Sequence, residues 1–158
     1  MESSYLGLKL LHVFGAVLFL GNIIVTGWWK IMANRTREPR IIAFAQRQVT
    51  LTDYFFTAGG VLLLLAAGYA SANLAGMNTT ATPWMARGSI LFGLSGVIWV
   101  AILIPIQIRQ SRMAKAFAAG EPIPTEYWRL CRLWNFWGII ATLLPVSVLY
   151  FMVFKNAA

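Results

Sequence analysis

Four apolar runs dominate the chain: residues 6–29, 54–74, 84–108 and 134–154. Each holds about 20 residues or more, which as a helix rising ~1.5 Å per residue crosses a ~30 Å hydrocarbon core. The pattern predicts an all-α protein, a transmembrane four-helix bundle forming one domain over residues 1–158. The first run is too long for the apolar stretch of a cleavable signal. It reaches Trp29 without an A-x-A site and a polar start, so it reads as the first transmembrane helix.

The polar punctuation sets the helix ends. Thr82-Pro83 offers an N-cap followed by proline at the first helical position. Beyond Ile108, residues 109–119 still favour helix until Gly120, Pro122 and Pro124 break it. The third helix is therefore expected to extend into the cytoplasm. Thr125-Glu126 begins the fourth, and Glu38-Pro39 looks like another start. After it, Ile41, Phe44, Ala45, Gln48 and Val49 predict an amphipathic turn or two at the inner interface. Trp28, Trp29, Trp84, Trp128 and Trp134 lie near the expected interfaces. Ser89-x-x-x-Gly93 and Ala67-x-x-x-Ser71 have the spacing of close helix contacts, and Pro105 and Pro145 are candidate kinks.

Composition and charge agree with a membrane protein. The 158 residues are 59% hydrophobic and 11% charged, against about 25% charged in a soluble domain. The net charge of +8 is not read as a nucleic-acid surface, because the basic residues flank the apolar runs. Lys30, Arg35, Arg37, Arg40 and Arg47 belong to the first connection. Arg109, Arg112, Lys115, Arg129 and Arg132 belong to the third, and residues 75–83 carry no Lys or Arg. The expected orientation is N-out and C-out, multi-pass in a bacterial inner membrane. Lys9, Arg87 and Lys155 run against the bias. The expected contacts are lipid and either further copies of the chain or a partner membrane protein. Cys131 is alone, so it forms no intramolecular disulfide.

One ionisable residue stands well inside the first run. His12 shares a helix face with Lys9, three residues before it. At comparable depth the other helices bring Tyr69, Ser71, Arg87, Ser89, Ser147 and Tyr150, which predicts a polar and aromatic pocket in the outer half. A neutral imidazole there ligates haem iron or copper, or relays a proton. Alternatively, it hydrogen-bonds a neighbouring helix. A second polar set lies toward the cytoplasm: Asn22, Thr26, Asp53, Thr57, Arg132 and Asn135. An Asp53–Arg132 pair anchoring helix ends is its simplest reading. There is no C-x-x-C, H-x-x-x-H or acidic cluster, and no Gly-rich phosphate loop. A Ser–His–acid triad lacks a carboxylate at the depth of His12. A secondary transporter would need an internal repeat, and none is visible.

The segments Leu8-Lys9-Leu10-Leu11-His12, Asp53-Tyr54-Phe55-Phe56-Thr57, 99–107 (WVAILIPIQ) and 129–134 (RLCRLW) together resemble an uncharacterised bacterial family of small four-helix integral membrane proteins. That resemblance covers nearly the whole chain and implies a fold and a location. A more distant similarity is to HemJ-type protoporphyrinogen oxidases and CopD-like copper-resistance membrane proteins. It rests on Leu8 to His12, on Pro83-Trp84-Met85-Ala86-Arg87, and on Arg132-Leu133-Trp134-Asn135, with Phe136 where HemJ has an acid. It implies a haem or porphyrin site with His12 as ligand and Arg87 beside a porphyrin carboxylate. Arg132 with Asn135 would form a second polar site. The leading expectation is a haem b- or porphyrin-binding membrane protein, with Lys9 and Tyr69 flanking His12. If catalytic, it would be an oxidoreductase acting on a porphyrin-like substrate. One alternative is a structural or accessory subunit without cofactor. Another is copper handling by His12 with Met77 and Met85.

The charge asymmetry yields a direct test of orientation. A reporter active only in the cytoplasm should be silent when fused at Ala158 and active when fused after Ala119. The opposite pattern reverses the assignment.

Overall fold

The computed structural model describes residues 2–155, so Ala158 lies outside the described residues. Four helices in it are long and apolar enough to cross a membrane: Glu2–Thr36, Pro39–Leu74, Pro83–Ala118 and Thr125–Phe154. They are called the first to fourth spans below. Hydrocarbon offers no partner to a backbone N–H or C=O, so each crossing segment closes its bonds within itself. The shortest of the four has 30 residues, roughly 45 Å at ~1.5 Å per residue. Every span therefore outruns a ~30 Å hydrocarbon core.

The expected third helix, with its extension past Ile108, is the third span. Gly120, at φ 111°, lies just beyond its end. Proline opens the second and third spans at their first turn, where a missing N–H costs nothing. Thr82 does not cap with its side chain. The capping chemistry lies earlier, where the Asn78 Oδ1 accepts from the backbone N–H of Thr80 and Ala81 at 3.0 Å. Near Pro105 the helix carries a π turn, Trp99–Leu103, instead of a simple kink. A second π turn, Asp53–Ala58, interrupts the second span, and the fourth runs through Pro145 without a break.

The four spans pack as two pairs. The first span lies against Gly59–Leu74 of the second, and Pro83–Ile98 of the third lies against the fourth. Between them, Gly59–Leu74 and Pro83–Ile98 bring no Cα atoms within 8 Å of each other, although they are consecutive along the chain. The first pair closes through glycine. A Cβ on Gly15 would stand 2.6 Å from the Leu64 nitrogen, and one on Gly60 would stand 2.8 Å from the Phe19 nitrogen. The second pair is pinned by the Ser95 hydroxyl, which donates to the Ala141 carbonyl at 2.7 Å. Of the two expected small-residue motifs, Ala67 is buried. Gly93 has open space around it, and Gly88 makes the close contact instead, against Met152.

The pairs join at the end that carries the basic connections. There Pro39–Thr52 packs on Ile104–Ala118, around Ile42, Ala114, Phe117, Tyr127 and Cys131. The expected amphipathic turn at the interface is thus part of the second span. It turns Ile42, Gln46 and Val49 inward and leaves Ile41 and Phe44 exposed. Packing against another helix, not lipid, uses its apolar stripe. Away from this end, the rings of Phe19 and Phe92, 5.6 Å apart, bridge the pairs.

Gly15→Leu should split the first pair, because the new side chain meets backbone that cannot move aside. The expected loss is about 1–3 kcal/mol or more, read as a lower melting temperature in detergent. Gly93→Ala, made in open space, should leave melting unchanged or raise it.

Candidate functional site

The joint between the pairs is polar. Lys30 is 1% exposed, on the face of the first span that also buries Phe19, Thr26 and Ala33. Its ammonium donates to the Gln110 Oε1 at 2.6 Å and stands 3.9 Å from the centre of the Trp134 ring. An ion taken from water loses several kcal/mol of hydration. Here an amide oxygen and an aromatic face replace that hydration. Gln110, itself fully buried, passes its Nε2 to the Cys131 sulfur at 3.2 Å. The Asn34 Nδ2 donates to the same sulfur at 3.5 Å, and the Tyr127 hydroxyl donates to the Asn34 Oδ1 at 3.1 Å.

A second arm centres on Asp53, at the opening of the first π turn. Its Oδ2 accepts from the Gln107 Nε2 at 2.9 Å. Its Oδ1 accepts from the Thr57 hydroxyl at 2.9 Å and the Asn22 Nδ2 at 3.3 Å. Asn22 also donates to the Thr57 oxygen at 2.9 Å. The Gln107 Oε1 accepts from the Trp134 indole at 3.3 Å. Trp134 therefore touches both arms, with its N–H turned to the Asp53 arm and its ring beneath Lys30. All four spans contribute: the base and the acid both belong to the first pair, and each meets a neutral glutamine of the third span across the joint.

Asn22, Asp53 and Thr57 lie together as the sequence predicts. Thr26 is buried but donates to its own helix, to the Asn22 carbonyl at 2.6 Å. Arg132 does not reach Asp53. With Asn135 it lines a cavity of about 470 Å³ between the first and fourth spans, together with Arg35, Arg37, Trp128 and Cys131. Gln107 and Asn22, neutral donors, take the place expected for the arginine. Lys30, Gln107, Gln110 and Tyr127 are missing from the sequence-level sites. The available signals were the four-residue step from Thr26 to Lys30 and the three-residue step from Gln107 to Gln110.

The expected outer pocket does not assemble around His12. Its Nδ1 donates to the Leu64 carbonyl at 2.7 Å, and Gly68 leaves the space its ring fills, since a Cβ there would stand 2.6 Å from Nδ1. Both partners are on the second span. Ser71 donates to the Gly68 carbonyl and Ser147 to the Leu143 carbonyl, each within its own helix. Lys9, Arg87, Ser89 and Tyr150 are exposed. Tyr69 lines a different cavity of about 510 Å³, with Asn73 and Met77. Because the two pairs part on this side, the helices that were to close the pocket stand apart. Among the described residues, no three His, Cys, Asp or Glu side chains gather as a metal-binding group.

Residues 6–156 match the family described as "Predicted integral membrane protein (DUF2269)", and the chain belongs to that family. It is an integral membrane protein with four spans. No curated protein and no solved structure matches it, so the similarity to HemJ-type and CopD-like proteins has no counterpart among those matches.

Asp53→Ala removes the acceptor shared by Gln107, Thr57 and Asn22 and should cost about 1–3 kcal/mol, the range for leaving buried donors unsatisfied. Gln46→Met should act oppositely. Gln46 is 1% exposed and neither end of its amide has a partner, so an apolar side chain of similar length should gain about 1–3 kcal/mol. Denaturation of both variants in detergent measures the pair.

Proposed function

We propose that this protein is a proton-linked membrane module in which the Lys30–Asp53 centre clamps two helix pairs and releases them when its charge changes. One observation carries the reading: the acid and the base lie in the joint that holds the pairs together, and each is held across it by a glutamine of the third span. An intramembrane ionisable group is costly, and such groups mark proton and ion pathways. Adding a proton to the Asp53 carboxylate, or removing one from the Lys30 ammonium, would discharge one side of a hydrogen-bonded joint. Charge-assisted bonds are roughly twice as strong as neutral ones. The joint therefore weakens when either charge is lost. The two π turns support a moving joint, since such turns recur at functional positions in helices. The basic connections support a cytoplasmic position for this end in a bacterial inner membrane, with both termini outward.

A second reading keeps His12 as a haem ligand. With Nδ1–H committed to the Leu64 carbonyl, the lone pair lies on Nε2. Ligating histidines commonly have this arrangement, the second nitrogen being fixed by a carbonyl. A porphyrin would lie outside the first pair, toward lipid or a second subunit. Purified protein showing a Soret band that His12→Ala removes would favour this reading. A colourless protein would leave an accessory subunit without cofactor as its replacement.

Spin labels at Arg47 and Arg112, both exposed and on opposite sides of the joint, test the main proposal. The distance distribution should change between about pH 5 and pH 9, a range that reaches perturbed carboxyl and amine groups. It should stop changing in Asp53→Asn combined with Lys30→Met. A pH response that survives in that double variant, or none in the parent chain, overturns the clamp.

A further inference from the structure

The cavity between the end of the first span and the start of the fourth lies beside the Lys30 arm of the clamp, and its own lining is basic. Three arginines line it: Arg35 in the last turn of the first span, Arg37 just after it, and Arg132 in the fourth. Asn135 lines it too. Arg37 is held at φ 55°, a left-handed conformation that a residue with a side chain seldom adopts and that costs on the order of 1–3 kcal/mol. No Asp or Glu is among the residues that line the cavity, so its charged lining is wholly basic.

We propose that this cavity binds a phosphate-bearing anion at the membrane surface, with the phosphate taken by Arg35, Arg37 and Arg132. Guanidinium groups match phosphate oxygens two at a time, and several of them around one opening relieve their mutual repulsion only when an anion enters. Trp128 forms another part of the wall. Indole rings favour the headgroup level of a bilayer, and basic pockets between spans on the cytoplasmic side take anionic headgroups. Phosphatidylglycerol presents such a phosphate at the bilayer surface, and a free phosphate ester of a small polyol presents the same chemistry. The same opening reaches Asn34 and Cys131, which belong to the Lys30 arm, so an occupied cavity touches the buried centre directly.

Native mass spectrometry of the full chain, released from phosphatidylcholine nanodiscs containing phosphatidylglycerol, reads the proposal. The parent protein should retain phosphatidylglycerol in preference to phosphatidylcholine. Arg35→Gln with Arg132→Gln should weaken that preference by about tenfold for each arginine removed. Arg109→Gln with Arg112→Gln removes the same charge away from the cavity and should leave it intact. Equal losses in the two double variants would reduce the effect to general surface charge and overturn the site. Should the glutamine variant fail to fold, Arg35→Lys with Arg132→Lys keeps the charge but loses the paired bonds, and its preference should fall by about tenfold. An unchanged preference there also overturns it. Inorganic phosphate and glycerol phosphate, added to protein in neutral detergent, separate the sources. A melting shift that the arginine variants abolish, without lipid retention, assigns the site to a free phosphate ester. Absence of both signals refutes the proposal.

Discussion

The whole arrangement depends on the burial of one ammonium group. Lys30 is buried on the inward face of the first span, and its charge is too costly to leave without partners. Gln110 and the Trp134 ring meet that requirement, and both come from the other helix pair. The first span is thus tied to the third and fourth by a need that only they supply. In a membrane, apolar side chains give little reason for helices to prefer one another to lipid. Specific polar contacts then decide which faces meet, and here they gather at one end.

The rest of the fold follows from a division of labour. Within each pair, close backbone approach at Gly15 and Gly60, or a side chain donating to a main-chain carbonyl as from His12 and Ser95, supplies the contact. Such contacts are local to two helices and leave the other faces to lipid. That accounts for the many large apolar side chains left exposed on all four spans, among them Val97 at 64% and Leu62 at 70%. Between pairs, hydrogen bonds among amides, one acid and one base do the joining. Neutral amides suit this position, because glutamine offers both an acceptor, used for Lys30, and a donor, used for Asp53, without adding charge of its own.

The spans were legible in the sequence because twenty apolar residues in a row have few other uses, and proline and glycine mark their ends plainly. The Asn22, Asp53 and Thr57 cluster was legible as well, since two of its members are one helical turn apart on an apolar segment. His12 shows the limit. Its depth can be read from the sequence, but its partner cannot, because a main-chain carbonyl such as that of Leu64 has no signature among the residues. Lys30 was counted with a basic loop because two tryptophans precede it, and a helix that continues to Thr36 turns that apparent loop residue inward. Arg132 was paired with Asp53 by charge alone, whereas the geometry gives Asp53 to Gln107. An amide on a neighbouring helix outcompetes an arginine whose side chain can remain at the surface in water.

The separation of the two pairs gives the buried centre leverage. Away from the basic end, the rings of Phe19 and Phe92 meet edge to face between the pairs. An edge-to-face aromatic pair contributes only about 0.5–1.5 kcal/mol beyond its buried area. The angle between the pairs is therefore governed mainly at the other end, by the Lys30 and Asp53 arms and the packing around Ile42, Phe117 and Tyr127. Each span exceeds the thickness of the hydrocarbon core, so a small rotation at this joint is carried along a rigid helix to a larger displacement at the far end. On the proposed clamp, a change of one charge at the joint would act on the position of the His12 end through the rigid helices themselves.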